Sequence, residues 1–335
     1  MSGLLVLVAL ALAPAPATPA PPSPAPGPAP AAAPSAGGDD LVLEALAHAL
    51  TRGTRSELER AEVIYRWVAH NVSYDVAGLV ARRPTAPTVS DVLERGVALC
   101  GGYSELYRRL ARLAGLEART LIGYAKAYGY EQGTDFRAPN HAWNAVRIDG
   151  EWHLLDVTWG AGRIDGGHTF VPAFDSYWFL TPAEEFAFTH LPLEPRWQLL
   201  PEPLSLDDFE RQPAMSPSQF LAGFAPEYLR VLQRDRSFTG VPDVHFYGRR
   251  TIRIHNVPLE RTLAAGERRE FRLEVEGAAE VVVVNGGVWH RLWPEDGVFD
   301  ADVLLREGPL TVNARYPERG EVYWPVMVYA VEGGR

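Results

Sequence analysis

The stretch PNHAWNAVRIDGEWHLLDVTWGAG, residues 139–162, decides how the chain is read. Asp149-Gly150 separates two runs rich in apolar residues, and this dipeptide suits the left-handed backbone of a two-residue hairpin turn. With that turn, Ile148 faces Glu151, Trp143 lies opposite Asp156 and His141 lies opposite Thr158. His141 and Asp156 then share a face as diagonal cross-strand neighbours, about 7–8 Å apart between backbones and within side-chain hydrogen-bonding reach. A carboxylate beside an imidazole fixes its tautomer and stabilises its protonated form, as a general base requires. A slip of one residue sends the two side chains to opposite faces, so the inference stands on the turn length. The same spacing also fits an edge-strand histidine and an aspartate that caps the next turn. His153 falls on the other face in this register, and Asn140 either bonds in a cleft or begins the strand.

A base needs a nucleophile, and the chain holds one cysteine, Cys100, in RGVALCGGYSELYRRLARLAG (residues 95–115). Tyr103, Leu106, Tyr107, Leu110 and Leu113 recur at intervals of three and four, which predicts an amphipathic helix closed by a left-handed Gly115. Cys100 therefore stands at a helix N-terminus, where unpaired N–H groups and the macrodipole favour a thiolate. Gly101 and Gly102 leave the sulfur side open, and the same amides can hold an oxyanion. A small apolar residue packed at a helix start is the alternative for this stretch taken alone.

Upstream, Leu41–Thr51 and Ser56–His70 read as helices covering a core, and Ser90 or Asp91 starts a short helix ended by Gly96. Residues 82–87 read as a loop. Trp67 and Tyr74 are placed at the wall of the cleft, together with Gly101, Trp143 and Trp159, although aromatic residues at such spacing also serve as core. Downstream, the proline-rich stretch 192–217 reads as a connector wrapping that core. From about Val241 the pattern changes to TIRIHNV, EFRLEVEG, EVVVVNG, FDADVLL, LTVNARYP and YWPVMVYAVEG, which predicts a small all-β sandwich over residues 240–335. Pro325 assigns its strand to an edge.

Leu4 to Leu12 is an apolar run followed by Ala and Pro, too short to span a bilayer and suited to a signal peptide over residues 1–20. Residues 21–38 are a Pro/Ala-rich linker, and ten of the 28 prolines fall between Pro14 and Pro34. Export to the medium, the periplasm or the cell envelope is the expectation, with no membrane span in the mature chain. The first charged residue is Asp39, so the 32 basic and 42 acidic residues, net −10, belong to the folded part. That balance excludes nucleic acid as an expected partner. Lys126 is the sole lysine, which makes the chain a poor amine donor to its own cross-linking. Neither zinc-spaced Cys/His pairs nor an oxygen-rich calcium loop is present, so no metal is expected. Gly160, Gly162, Gly166 and Gly167 lack the order of a phosphate loop and its lysine, so no nucleotide or other cofactor is expected either.

Three ordered stretches, GVALCGGYSELYRRLARLAGLEAR, NHAWNAVRIDGEWHLLDVTWGAG and FLTPAEEFAFTHLPLEPRWQLL, resemble the transglutaminase-like superfamily, in particular its kyphoscoliosis-peptidase-type branch. The resemblance covers roughly Ser56 to Phe220. It implies an α+β, papain-like core over residues 39–235 including the connector, with Cys100 as nucleophile, His141 as base and Asp156 as third member. The implied chemistry is acyl transfer through a thioester on protein or peptide amides, released to water by a peptidase or to an amine by a transglutaminase. A catalytically silent interaction scaffold is the alternative. The β-sandwich is the expected site for a cell-surface or envelope partner.

Overall fold

The computed structural model describes residues 37–81, 88–127, 130, 131, 133–166, 168–226, 229, 240–246 and 250–333. The segment read as a signal peptide, all but the end of the one read as a linker, residues 82–87, Gly167 and most of the chain leading to the β-region lie outside them. Contacts divide the chain into Met1–Gly38 and Asp39–Arg335, and the second unit holds both sheet systems.

The first half of that unit begins with α1 (Gly37–Thr51), α2 (Glu57–Asn71), β1 (Ser73–Tyr74), α3 (Val76–Val80), α4 (Val89–Arg95), β2 (Val97–Ala98) and α5 (Cys100–Leu113). It continues through β3 (Glu117–Ala125), β4 (His141–Ile148), β5 (Glu151–Leu155), α6 (Val157–Ala161), β6 (Gly162–Ile164) and β7 (Phe170–Pro172). β8 (Phe179–Thr181), α7 (Ala183–Phe186) and β9 (His190–Pro192) complete it. Among the described residues the main sheet is antiparallel, in the order β8-β5-β4-β3-β9. Ile148 pairs with Glu151 and Asn144 with Leu155, the register that a two-residue turn dictates, and Asp149 and Gly150 take φ of 50° and 89°.

β4 is central, and both of its faces are covered. Val146 and Ile148 pack with Leu106, Tyr107 and Leu110 of α5 and with Ile64 and Val68 of α2. Trp143 and Ala145, which alternate with them, pack with Leu121, Trp178 and Phe186 on the opposite face. Asn144 ties the layers together. Its buried Nδ2 donates to the carbonyl oxygens of Ser104 in α5, at 2.9 Å, and of Arg119 in β3, at 3.0 Å. The helix that starts at Cys100 is thereby pinned to the strand that starts at His141.

The chain approaches Cys100 through two tight stops. Thr88 and Asp91 form a reciprocal capping box on α4, so Thr88 is the cap and Asp91 its partner, in place of the start at Ser90 or Asp91. Gly96 ends α4 at φ 62°, a left-handed conformation that costs glycine little. α5 has Leu99 at its N-cap, with no side-chain hydrogen bond to its first amides. Its far end closes as the spacing predicts, with Gly115 at φ 81° and Leu116 N–H donating back to the Ala111 carbonyl.

The connector carries α8 (Leu206–Arg211) and α9 (Pro217–Leu221) and belongs to both halves. Lys126, just past β3, donates from Nζ to the Gln212 carbonyl and lies 4.6 Å from the Phe209 ring centroid. Beyond that clip, Met215, Phe220, Ala222 and Phe224 pack into the core of the β-region. The chain past the proline-rich stretch is therefore part of that core, while Trp197 and Leu199 within the stretch pack against the core of the first half.

The β-region contains β10 (Asp243–Val244), β11 (Ile252–Asn256), β12 (Thr262–Ala264), β13 (Arg268–Val275), β14 (Glu280–Asn285) and β15 (Val288–Glu295). β16 (Val298–Leu304), β17 (Gly308–Arg315) and β18 (Tyr323–Glu332) follow. They join in the order β10-β18-β17-β14-β15-β16-β13-β11, with β12 added to β18. β15 pairs with β14 through Leu292 and with β16 from Trp293, so one strand carries the sheet round the corner. The two parts close over Phe271, Val281, Val283, Val312, Val326 and Met327 as a sandwich does. The edge assignment of Pro325 is corrected. β18 is flanked by β17 on one side and by β10 and β12 on the other. Pro325 is accommodated where the ladder to β17 shifts register between Val312 and Asn313, since a bulge relieves the demand for its missing N–H.

Gly123 is fixed by what crosses it. It pairs with His141 on one side and with Pro192 on the other. A Cβ there would stand 2.1 Å from the Leu191 carbonyl oxygen and 2.6 Å from the Trp143 ring. Gly123→Ala is expected to destabilise the fold by about 1–3 kcal/mol through overpacking. Urea unfolding measures this, and a midpoint equal to wild type removes the argument.

Candidate active site

Cys100 is the first residue of α5, and its thiol is half-buried. Burial alone would push the thiol pKa up. A hydrogen bond and charge attraction from His141, with a second hydrogen bond from the Ala142 N–H, outweigh it and hold Cys100 below its ordinary value. A Cβ added at Gly101 would meet nothing within 4 Å, so the helix start is open at the residue that follows Cys100. The uncapped helix start leaves amide donors beside the same sulfur.

His141 opens β4. Its Nε2 lies 2.7 Å from Asp156 Oδ2, which leaves Nδ1 for Cys100. Burial opposes a charged imidazole, but the Asp156 charge and the hydrogen bonds to Asp156 and Cys100 prevail and raise its pKa. A lowered thiol pKa beside a raised imidazole pKa favours the thiolate–imidazolium pair over the neutral pair.

Asp156 is fully buried at the end of β5, where it also caps α6. The two readings of its spacing, base orienter and helix cap, describe its two oxygens. Oδ1 accepts from the Thr158 N–H at 2.8 Å and the Trp159 N–H at 3.1 Å. Oδ2 accepts from His141 and, at 3.1 Å, from Nε2 of His190. Burial penalises the carboxylate, yet the His141 charge and these donors hold its pKa well below the usual range.

His190, the first residue of β9, is the side chain that spacing did not single out. It lies 34 residues from Asp156 in a strand added at the far edge, so no local pattern links them. The available signal was a histidine inside FAFTHLPL, a run that is apolar or aromatic apart from Thr189 and His190 and so suits a buried strand. Burial pushes its pKa down to about 4, against the pull of Asp156.

The expected cleft residues divide. Tyr74 lies near the sulfur, and its phenol is pushed up by burial and by the charges of Cys100 and Asp156. The Trp159 ring lies 5.7 Å from that of His141, and Trp67 is half-buried against the helical core. Trp143 corrects the expectation: it is fully buried, because its strand face turns toward Phe186 and His190, and it forms the floor beneath the histidines. Asn140 is also settled, since its amide clips both backbone groups of Ala125 and so begins the strand. His153 pairs with Val146, on the face away from His141.

The ligand atoms of His141, Asp156 and His190 lie within 4.8 Å of one another, a spacing that a metal ion could bridge by replacing the two imidazole protons. The hydrogen bonds already described satisfy the same atoms without one.

A histidine kept neutral by burial gives the fold a pH dependence. Between pH 6.5 and about 4 the unfolded chain binds more protons at this position than the folded one, so stability falls as pH drops through that window. Asp156 acts lower, because its contribution is present above the unfolded carboxylate value and is lost only in stronger acid. Urea midpoints should decline from pH 6.5 to 4 and decline less in His190→Gln; equal slopes for the two proteins would show that His190 does not titrate this way.

Residues 44–157 match the profile of the Transglutaminase-like superfamily. The chain is 38% identical over 177 residues to kyphoscoliosis peptidase of Homo sapiens, covering 52% of this chain and 26% of the human protein. It is 33% identical over 181 residues to the Lim and transglutaminase domain protein ltd-1 of Caenorhabditis elegans, covering 50% and 25%. A crystal structure of a TGase aligns at 25% identity with a TM-score of 0.31, over 43% of this chain and 37% of that one. The chain thus spans about a quarter of the length of these two relatives. It carries a transglutaminase-like superfamily domain of the kyphoscoliosis-peptidase type.

Proposed function

We propose that the chain is an exported thiol acyl-transfer enzyme acting on protein or peptide amides through Cys100, His141 and Asp156. One observation carries this reading: the half-buried thiol receives hydrogen bonds from His141 and the Ala142 N–H, while the far nitrogen of His141 rests on a buried carboxylate. A thiol that served only as packing would have no use for that polarisation. The name of the human relative, a peptidase, and the transglutaminase domain named in the worm relative point to the same class. Export rests on the apolar run Leu4 to Leu12 and the Ala/Pro-rich segment after it.

In this chemistry the Cys100 thiolate attacks the amide carbonyl, and the amides at the start of α5 stabilise the oxyanion. The imidazolium of His141 gives its proton to the leaving nitrogen, the C–N bond breaks, and a thioester remains. Water or an amine then attacks, His141 takes its proton, and the acyl group leaves the sulfur. Asp156 stays ionised throughout and holds His141 in place.

A non-catalytic scaffold is the second reading, favoured by the outward face of β15. Trp289 and Trp293 are 58% and 66% exposed there, and Tyr323 meets Trp289 edge-on. Neighbouring exposed aromatics suit a protein or envelope partner.

Iodoacetamide separates the two. Rapid labelling of Cys100 at a pH below the free-thiol pKa, lost in His141→Ala, is the enzyme's outcome, and slow labelling typical of an ordinary thiol sinks it. Asp156→Asn should lower the labelling rate at that pH about tenfold or more. Incubation with casein and a labelled primary amine then distinguishes amine incorporation from peptide release.

A further inference from the structure

His190 is a buried titratable group for which the chemistry above has no use. Its Nε2 lies 3.1 Å from Asp156 Oδ2, and its Nδ1 lies 2.8 Å from Thr189 Oγ1. An ionised carboxylate only accepts, so Nε2 carries the hydrogen. In the neutral ring Nδ1 is then bare and accepts from the Thr189 hydroxyl, whose alternative acceptor, the Phe186 carbonyl, is farther away at 3.2 Å, so one tautomer satisfies both ring contacts. Full burial disfavours the charged form. The ring stacks on Phe186 at a centroid distance of 4.0 Å and is walled by Trp143, Trp159 and Trp178 at 5.1, 4.5 and 5.7 Å. The ionisable groups facing it are Asp156, at the start of α6, and His141, in β4, whose ring centre is 5.5 Å away.

Asp156 therefore meets two imidazoles with one oxygen, and one carboxylate balances only one cation. We propose that His190 is a positioning residue: a neutral donor, its tautomer set by Thr189, that fixes Asp156 Oδ2 so that the remaining lone pair and the whole charge go to His141. The carboxylate then sits on four donors, two amides on Oδ1 and two imidazoles on Oδ2, and cannot swing about its terminal bond. Removing His190 leaves three of the four named donors, with His141 the one that remains on Oδ2, around a carboxylate that has no exposed surface. The orientation that holds the imidazolium toward Cys100 is then lost, the imidazolium is less stable, and the thiolate with it. His190 touches neither sulfur nor substrate in this role. The inference rests on the thiol-enzyme reading for its meaning, but its geometry is tested separately.

Two variants of the full chain separate donor from filler. His190→Gln keeps an N–H that can reach the position of Nε2, whereas His190→Phe fills the ring volume and offers none. Thiolate absorbance against pH and the rate of iodoacetamide alkylation are read in each, with far-ultraviolet dichroism as the check on folding. The expected result is a wild-type titration for His190→Gln. For His190→Phe the thiolate midpoint moves up, and alkylation in mild acid slows by about ten- to a hundredfold, the weight of a hydrogen bond to a charged group. A wild-type thiolate titration in folded His190→Phe overturns the proposal, as does His190→Gln behaving like His190→Phe. If His190→Phe does not fold, nitrogen shifts of the His190 ring in the wild-type chain decide. They should report the neutral, Nε2-protonated form from about pH 5 to 8, and a charged ring or the other tautomer overturns it. Slow alkylation of wild type alongside that neutral form would remove the enzyme reading and leave the tautomer standing, so the two failures are distinguishable.

Discussion

A carboxylate with no exposed surface is the constraint around which the first half of the molecule is arranged. Removing such an ion from water costs several kcal/mol even after the protein relaxes. Asp156 meets that cost with four N–H donors drawn from the first turn of α6, from β4 and from β9. Those elements must therefore converge on one point, and the sheet order β5-β4-β3-β9 achieves this by wrapping β9 round the far side of β3. The close approach of β9, with the Trp143 ring lying across the same place, leaves no room for a side chain at Gly123. Trp143, Trp159, Trp178 and Phe186 fill the space around the two imidazoles and keep it dry.

Local parity made part of this legible in the sequence. A two-residue turn leaves no freedom in the pairing that follows, so the position of His141 relative to Asp156 followed from Asp149-Gly150. The helix start at Cys100 likewise followed from periodicity and from Gly115. Contacts that depend on how distant strands are ordered were not legible. His190 arrives from β9, and Asn144 reaches across from β4 to carbonyls in α5 and β3. Neither partner can be named without the sheet order. Trp143 was misplaced because alternation says which residues share a face, not which face meets solvent.

The β-region shows the same boundary. Strands with continuous apolar runs, such as β14 and β18, are evident in sequence. β15 was missed because it reads VWHRLWPE, with outward Trp289, Arg291 and Trp293 and a proline near its end. Yet it is the strand that joins the two parts of the sheet. Its ends are set by two-residue turns, Gly286-Gly287 at φ 55° and 77° and Asp296-Gly297 at 49° and 85°, the same device that sets the hairpin of the first half. Proline content likewise marks irregular backbone but not which core receives Phe220 and Phe224, which follow it.

Leu99 gives the start of α5 a further meaning. Most helices gain about 1 kcal/mol from a serine, threonine or aspartate at this position, whose oxygen takes up one of the free amides. Here a leucine stands in that place, and α4, immediately before it, carries a full capping box. Local stability has been withheld at the turn whose amide hydrogens the proposed chemistry uses. An effort to make the protein more heat-resistant by helix capping would choose Leu99 first, and it would spend on the helix the donors that the proposed chemistry assigns to the reacting carbonyl.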